Sequence, residues 1–298
     1  MNFKRILKER LVESLNQLYQ DQNSWWRKIV DDDDVFILIR NNRIHVLANG
    51  GLLLQITMDS TGKLICQTHE EFLSLRSEGN PYTVLTDDET ATPKRVEGLK
   101  GLAKHYELVK RRIKLFTGKE KQAVQDIVLK HKQFVDVEIG LEGDKKESAY
   151  KKGAQRVDMA TLLPGGILTF FEVKLFDNSE IRAKETPPVV GQLKKYQHLL
   201  KKYEDEILEG YNQQLQMYGK LNGTFFENRL SNQKVLKIYP EVRLLITGFD
   251  GGQKEYLLPR LLKGIYEGMA WSEKTSDLIA IGNHKAVKES VLFKGILP

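Results

Sequence analysis

A chain of 298 residues can form one large domain or two modest ones, each with a hydrophobic core of its own. The apolar fraction of 41% and the single cysteine, Cys66, are typical of a globular protein in a reducing compartment such as the cytoplasm, and they exclude an internal disulfide. No apolar run approaches the length that spans a bilayer, so we expect no membrane partner, and the net charge of +6 is compatible with a polyanionic one.

The N-terminal part predicts a helix followed by an antiparallel β-meander. Apolar residues at three- and four-residue steps over 3–18 indicate an amphipathic helix that ends near Asp21. Segments rich in Asn, Asp and Gly, which tolerate positive φ, separate the predicted strands. These strands cover 35–40, 43–48, 52–58 and 63–69. Cys66 falls inside the last strand and is interpreted as a core thiol.

A polar stretch over 80–97, which contains Pro81 and Pro93, predicts a domain boundary. We therefore divide the chain into a module over 1–95 and a domain over 96–298. The module holds no residue set that names a chemistry. Recognition of a target, binding of a protein partner and formation of a homodimer are all open roles for it.

The second part alternates helices with strands, which is the pattern of an α/β domain. In chain order it predicts a helix over 96–116, a helix over 119–130, a strand over 134–141, a strand around Asp158, a strand over 167–175, a helical region over 189–221, a strand over 241–249, a helix over 253–268 and a strand over 277–282. The first of these helices is basic, and its charged face either contacts phosphates or is solvated.

Between Arg156 and Tyr196, several charged and polar residues occur inside segments that are otherwise apolar, which is unusual. Side chains alternate across a strand, so Glu172 and Lys174 share one face. Their strand is apolar enough to be buried on both faces, and a buried carboxylate and ammonium need a reason. Asp158 lies on the preceding strand, beyond a Pro-Gly-Gly turn at 164–166.

A metal site would supply that reason. Asp158 and Glu172, on neighbouring strands, would offer two carboxylates to one hard cation, and the Val173 carbonyl would offer a third oxygen. Mg²⁺ (or Mn²⁺) prefers such sparse oxygen sites, completed by water and a substrate phosphate. A buried Glu172–Lys174 ion pair in an ordinary α/β sheet is the alternative.

Asp158 and the run Glu172-Val173-Lys174, followed by the run from Gln192 to Tyr196, resemble the PD-(D/E)xK nuclease superfamily and its RecB-like branch with a Q-x-x-x-Y motif. The resemblance covers about 119–249. It implies an α/β fold with a restriction-endonuclease-like mixed central sheet flanked by helices. The smaller N-terminal domain, a helix plus an antiparallel β-meander, falls outside it.

The resemblance also implies an activity, which is metal-dependent hydrolysis of phosphodiester bonds in double- or single-stranded DNA, as in restriction, phage defence or repair. The cation would be held by Asp158, Glu172, Val173 and Glu120, the last on the first core helix. Lys174 would orient the attacking water or neutralise the phosphate charge. Gln192 completes the implied catalytic set. The residues expected to contact nucleic acid are Arg182, Tyr196, Lys151, Lys152 and Lys194.

Other readings of these residues stay open. Glu120 has a simpler alternative to the metal role, because an acidic residue near a helix N-terminus interacts favourably with the helix dipole. In the same way, Gln192 is also typical of a helix cap, and Tyr196 is also typical of a core position. At the level of function, the alternatives are a non-catalytic nucleic-acid-binding module on a degenerate nuclease fold, and an interaction protein in which the acidic residues and Lys174 form a structural ion cluster.

Overall fold

The computed structural model describes residues 3–73, 82–85, 98–141, 155–182, 186–227, 229 and 232–296. The helices are α1 (Glu9–Gln20), α2 (Trp25–Val30), α3 (Gly98–Lys104), α4 (Tyr106–Phe116), α5 (Lys119–Lys130), α6 (Pro188–Lys202), α7 (Glu204–Tyr218), α8 (Thr224–Glu227), α9 (Leu258–Met269) and α10 (Glu289–Leu292). The strands are β1 (Val35–Arg40), β2 (Arg43–Ala48), β3 (Gly51–Met58), β4 (Leu64–His69), β5 (Tyr82–Leu85), β6 (Phe134–Leu141), β7 (Gln155–Leu163), β8 (Ile167–Leu175), β9 (Lys237–Thr247) and β10 (Leu278–Ile281). None of the described helices is long and apolar enough to cross a bilayer.

The described chain divides into two compact units. The N-terminal unit contains Phe3–Gln125 and Glu209–Lys234, and the C-terminal unit contains the described residues of 126–208 and 235–298. The division falls inside α5 and inside α7. These bounds differ from those of the sequence-based division after residue 95. The separate roles that the sequence suggests for the two parts stay a prediction.

The N-terminal unit is built on an antiparallel five-stranded sheet in the order β1-β2-β3-β4-β5. Asn42 and Asn49 take positive φ angles of 52° and 50° at its turns, which confirms the turn prediction. Cys66 is buried in β4, as expected of a core thiol. The segment over 209–234 contributes aromatic residues to this unit, where the ring of Phe225 lies 5.8 Å from that of Phe36.

In the acidic run over 31–34, which precedes β1, Asp32 and Asp34 contact one buried lysine. The Lys110 ammonium of α4 lies 2.7 Å from Asp32 and 3.3 Å from Asp34 and Glu107. Lys110 is itself buried, and a buried ammonium is stable only when carboxylates surround it. The run is thus part of the packing of α4 against the sheet.

The C-terminal unit has a mixed five-stranded sheet in the order β10-β9-β8-β7-β6. β6, β7 and β8 pair antiparallel, whereas β9 runs parallel to both β8 and β10. Helix α6 packs against β9. The expected α/β class, with an antiparallel sheet and a mixed one, is confirmed at this level.

Several predicted elements differ in their ends. The predicted helix over 96–116 is divided into α3 and α4 at His105, and the region over 189–221 into α6 and α7 at Tyr203. Two short helices that follow each other in the chain show the same apolar period as one long helix, so the sequence pattern does not distinguish the two cases. Strand β9 covers Lys237–Thr247 and so begins four residues before the predicted strand over 241–249. The prediction missed its start because Pro240 and the polar residues around it obscure the strand pattern.

Candidate functional site

The candidate site begins where β7 and β8 separate. Their ladder runs from the hairpin turn as far as the pair Met159↔Phe171. Two residues beyond Phe171 on β8, the Val173 N–H donates to the Asp158 carboxylate over 2.7 Å. The Asp158 side chain therefore bridges the two strands.

This hydrogen bond also orients the Val173 carbonyl. In an extended strand, the N–H and C=O of one residue point to the same neighbouring strand. Because the Val173 N–H points to β7 and Asp158, the carbonyl of Val173 is directed to that side as well. The neighbouring residues of β8, Glu172 and Lys174, are in register with Leu244 and Ile246 of β9.

Glu172 and Lys174 form a buried ion pair. The Lys174 Nζ lies 2.8 Å from Glu172 Oε1, and the two side chains are only 5% and 2% exposed. The same ammonium lies 2.5 Å from Glu180 Oε2, which is 46% exposed. A carboxylate as deeply buried as Glu172 needs a cation beside it, since an isolated charge in the interior is very costly.

Helix α6 places Gln192 and Tyr196 near β7, the strand that carries Asp158. Its start at Pro188 follows from the fixed φ of proline, which suits the first helical turn. The Tyr196 hydroxyl donates to the carbonyl of Arg156 on β7, and Gln192 Nε2 donates to the Tyr196 hydroxyl over 2.7 Å. Residues four apart face the same side of a helix, so this pair forms one unit.

Charges around Tyr196 locate the carboxylates. Burial raises the pKa of Tyr196 most and the charge of Glu172 raises it next; the Gln192 hydrogen bond lowers it, and Asp158 and Glu180 raise it by smaller amounts. A carboxylate acts on a phenol in this way only at short range, because solvent and salt screen distant charges. Tyr196 is thus close enough to Glu172, Asp158 and Glu180 for their charges to act on its hydroxyl.

Gln192 offers one further atom to the site. Its Oε1 is buried and has no hydrogen-bond partner among the described residues. A buried amide oxygen normally accepts a hydrogen bond from protein or water. This atom is therefore suited to accept a hydrogen bond from a water molecule or a ligand.

The donor set fits Mg²⁺ or Mn²⁺. Asp158, Glu172 and the Val173 carbonyl are hard oxygen donors, and Mg²⁺ commonly takes one or two carboxylates and completes its shell with water and phosphate. Within the described ranges, no group of three or more His, Cys, Asp or Glu side chains is arranged to hold a metal ion.

The remaining predicted residues are distributed differently. Glu120 is half-buried in the first turn of α5 and belongs to the N-terminal unit, so its role as a ligand stays a prediction. Arg182 donates through Nε and Nη2 to the Phe176 carbonyl over 3.0 and 2.7 Å. Lys194 is exposed on α6. Lys151 and Lys152 lie outside the described residues.

Glu180 is a site residue that the sequence did not reveal. It lies in a single 3₁₀ turn, Ser179–Ile181, directly after β8. The run around it contains several polar residues, including Asp177, and spacing alone does not separate one from another. The one sequence feature that could have indicated Glu180 is that it is an acidic residue in the first turn after β8, the strand that carries Lys174.

Glu138 on β6 also lies close to this part of the sheet, and the sequence pattern leaves open whether it supports the site or faces solvent. Its φ is +52°, and its chain neighbours pair with the residues that flank Asp158, so it lies across from Asp158. Its carboxylate is 3.5 Å from Arg156 Nη1. Left-handed backbone is uncommon at residues other than glycine and concentrates at functional sites.

No protein-family model, no curated protein and no solved structure matches this chain significantly. The arrangement of Asp158, Glu172, Val173 and Lys174 with the Gln192–Tyr196 pair is therefore the observation from which a function can be inferred.

Proposed function

We propose that this chain is a metal-dependent nuclease that hydrolyses DNA phosphodiester bonds. One observation carries the proposal. Two carboxylates, Asp158 and Glu172, and the Lys174 ammonium come from adjacent strands at the point where those strands separate. Asp158 is half-buried, and the buried Glu172–Lys174 pair has a desolvation cost that the pairing offsets only in part, so a functional role would account for the place of this set in the sheet.

Asp158, Glu172 and the Val173 carbonyl would hold Mg²⁺ or Mn²⁺. The cation would polarise a phosphate and lower the pKa of a bound water. Asp158 is held in place by the Val173 N–H, and Glu172 by its ion pair with Lys174. Both carboxylates thus have fixed positions before any substrate binds, which lowers the entropy lost on binding.

Lys174 would stabilise the negative charge that develops on the phosphate during hydrolysis. Its stem is buried and its ammonium is held between carboxylates, so the positive charge is already at the site. A preorganised charge of this kind stabilises a transition state without reorganisation during the reaction. Gln192 Oε1 is the acceptor that would orient a water molecule, and Tyr196 holds Gln192 in place.

DNA is the preferred substrate. The sequence carries a net charge of +6, and cations such as Lys194 are exposed on the helix above the sheet. Cationic side chains of this kind bind phosphates without reading the base sequence. The aromatic pattern of an RNA-stacking sheet, typical of an RRM, is absent from the sequence.

The experiment is an incubation of the full chain with circular DNA, linear DNA and RNA over a range of Mg²⁺ and Mn²⁺ concentrations. We expect metal-dependent loss of DNA that EDTA prevents. Loss of the circular form would identify an endonuclease. Absence of cleavage of all these nucleic acids at every metal concentration would overturn the proposal.

A second candidate is a protein without catalysis, in which these charges form a structural ion cluster. One observation favours it, since Lys174 already contacts both Glu172 and Glu180 at ion-pair distances. Calorimetry separates the two functions. A nuclease binds Mn²⁺ through Asp158 and Glu172, whereas a structural cluster does not bind Mn²⁺ and its nucleic-acid binding, if any, is independent of the metal.

A further inference from the structure

The position of Glu180 is set by local structure. The Glu180 N–H donates to Asn178 Oδ1 over 2.8 Å, which caps the 3₁₀ turn after β8, and the Asn178 N–H donates to the Leu175 carbonyl over 2.9 Å. Ile181, the next residue, is buried and anchors the turn. The Glu180 side chain is therefore held beside the end of β8 although it is partly exposed.

Lys174 is shared between two unlike carboxylates. Its Nζ lies 2.8 Å from Glu172, whose side chain is 2% exposed, and 2.5 Å from Glu180, whose side chain is 46% exposed. Charge-assisted hydrogen bonds of this length are the stronger kind. The ammonium thus has a buried partner that belongs to the proposed metal site and a solvent-facing partner that does not.

A dication and an ammonium compete for the same Glu172 carboxylate. Both are attracted to it, and they repel each other at short range. If Lys174 had only Glu172 as a partner, metal binding would have to displace the ammonium from its one counter-charge. With Glu180 present, the ammonium keeps a carboxylate at hydrogen-bond distance when Glu172 binds another cation.

We propose that Glu180 is a positioning residue that acts through Lys174. It gives the ammonium a partner other than Glu172, so that Glu172 can bind the divalent cation while Lys174 stays beside the reacting phosphate. This inference rests on the proposed nuclease function. It assigns Glu180 neither contact with the metal nor contact with the substrate.

The consequence is a coupling between two side chains in metal affinity. Glu180→Gln removes one of the two carboxylates that contact the ammonium and so strengthens its competition for Glu172. We therefore expect Mn²⁺ to bind on the order of threefold to tenfold more weakly, which corresponds to the loss of one charged hydrogen bond weakened by solvent screening. In a Lys174→Gln background there is no ammonium to position. There, the same Glu180→Gln change should alter Mn²⁺ affinity by less than about twofold.

The test is a double-mutant cycle on the full chain, with Mn²⁺ binding measured by calorimetry. The proteins are the wild type, Glu180→Gln, Lys174→Gln and the double variant. Lys174→Gln is chosen because an amide can still donate to Glu172 and support folding. Glu267→Gln is the control, because Glu267 is an exposed carboxylate 3.9 Å from a lysine, Lys263, in the same unit.

The outcomes separate this inference from the proposed function. Weaker Mn²⁺ binding in Glu180→Gln but not in Glu267→Gln, with the effect lost in the Lys174→Gln background, supports it. An equal loss in both backgrounds means that Glu180 acts on the metal directly, and no loss in either means that Glu180 has no role; both overturn the inference. In these two cases, wild-type protein that binds Mn²⁺ and cleaves DNA preserves the proposed function. Wild-type protein that does neither overturns both.

Discussion

The Asp158 carboxylate accepts a 2.7 Å hydrogen bond from the main-chain N–H of Val173. One proposed metal ligand is thus bound to the backbone of the strand that carries the other, Glu172. The Asp158 carboxylate joins β7 to β8, and under the proposed function it would also bind the cation. Variants can separate these functions because an amide retains the acceptor but not the charge.

Asp158→Asn should preserve the fold and abolish the chemistry. The amide oxygen can still accept from Val173, so we expect the free energy of unfolding to change by less than about 1 kcal/mol. Loss of the negative charge should weaken Mn²⁺ binding strongly and stop cleavage. Asp158→Ala removes the acceptor too and should lower the free energy of unfolding by about 1–3 kcal/mol.

These variants are checked by urea denaturation, Mn²⁺ calorimetry and a cleavage time course. An Asp158→Asn protein that binds Mn²⁺ and cleaves DNA like the wild type would contradict the metal role of Asp158.

Lys174→Ala should fail in a different way. It removes the cation beside the buried Glu172, so the free energy of unfolding should fall by about 3 kcal/mol. Mn²⁺ binding should survive or become tighter, because no ammonium repels the dication. Added Mn²⁺ should therefore raise the Tm of the variant more than that of the wild type. Cleavage should fall by on the order of a hundredfold or more.

Thermal unfolding with and without Mn²⁺, together with filter binding on DNA, tests this prediction. DNA binding should persist, because many basic side chains share the phosphate contacts. A folded Lys174→Ala protein with the wild-type cleavage rate would show that Glu172-Val173-Lys174 is not the catalytic motif.

His131 should make the C-terminal unit sensitive to acid. Burial lowers the pKa of His131 below its ordinary value of 6.5, and the Glu289 carboxylate, 3.5 Å from its Nδ1, only partly opposes this. Below pH 6.5 the unfolded chain binds a proton that the folded chain does not. The stability present above that pH is therefore lost as the pH falls to the lowered pKa of the folded protein.

His131→Gln should accordingly lose free energy of unfolding less steeply than the wild type between about pH 7 and pH 5. Urea denaturation over this range measures the difference, and His198→Gln, at an exposed position of α6, is the control. Parallel profiles for the wild type and His131→Gln would contradict the prediction.

Gly50 should not tolerate a side chain, because of its positive φ and because of a close backbone contact. Gly165 has the same φ without the contact, so a comparison of the two positions separates these causes. Both glycines have a φ of +78°, so an alanine at either position is strained by about 1–2 kcal/mol. A Cβ at Gly50 would also lie 2.5 Å from the Lys121 carbonyl oxygen, whereas nothing lies within 4 Å at Gly165. Gly50→Ala should thus lower the free energy of unfolding by at least about 1 kcal/mol more than Gly165→Ala. Equal values in urea denaturation would refute the role of the close contact.

The sequence by itself determined most of the secondary structure. The strands Val35–Arg40 and Arg43–Ala48, the helix Lys119–Lys130 and the strand Ile167–Leu175 have the predicted ends. These elements follow from local rules, because the apolar period and the turn residues act over a few positions. Alternation along β8 likewise determined that Glu172 and Lys174 share a face.

Only the tertiary structure decided what each of these side chains contacts. The Asp158–Val173 hydrogen bond depends on where the β7–β8 ladder ends, and no local pattern contains that register. The Lys174–Glu180 contact depends on how the chain bends at the turn after β8. The positive φ of Glu138 depends on how β6 pairs with β7. Pairing between strands and the burial of charge are properties of the whole sheet, whereas sequence periodicity reports one element at a time.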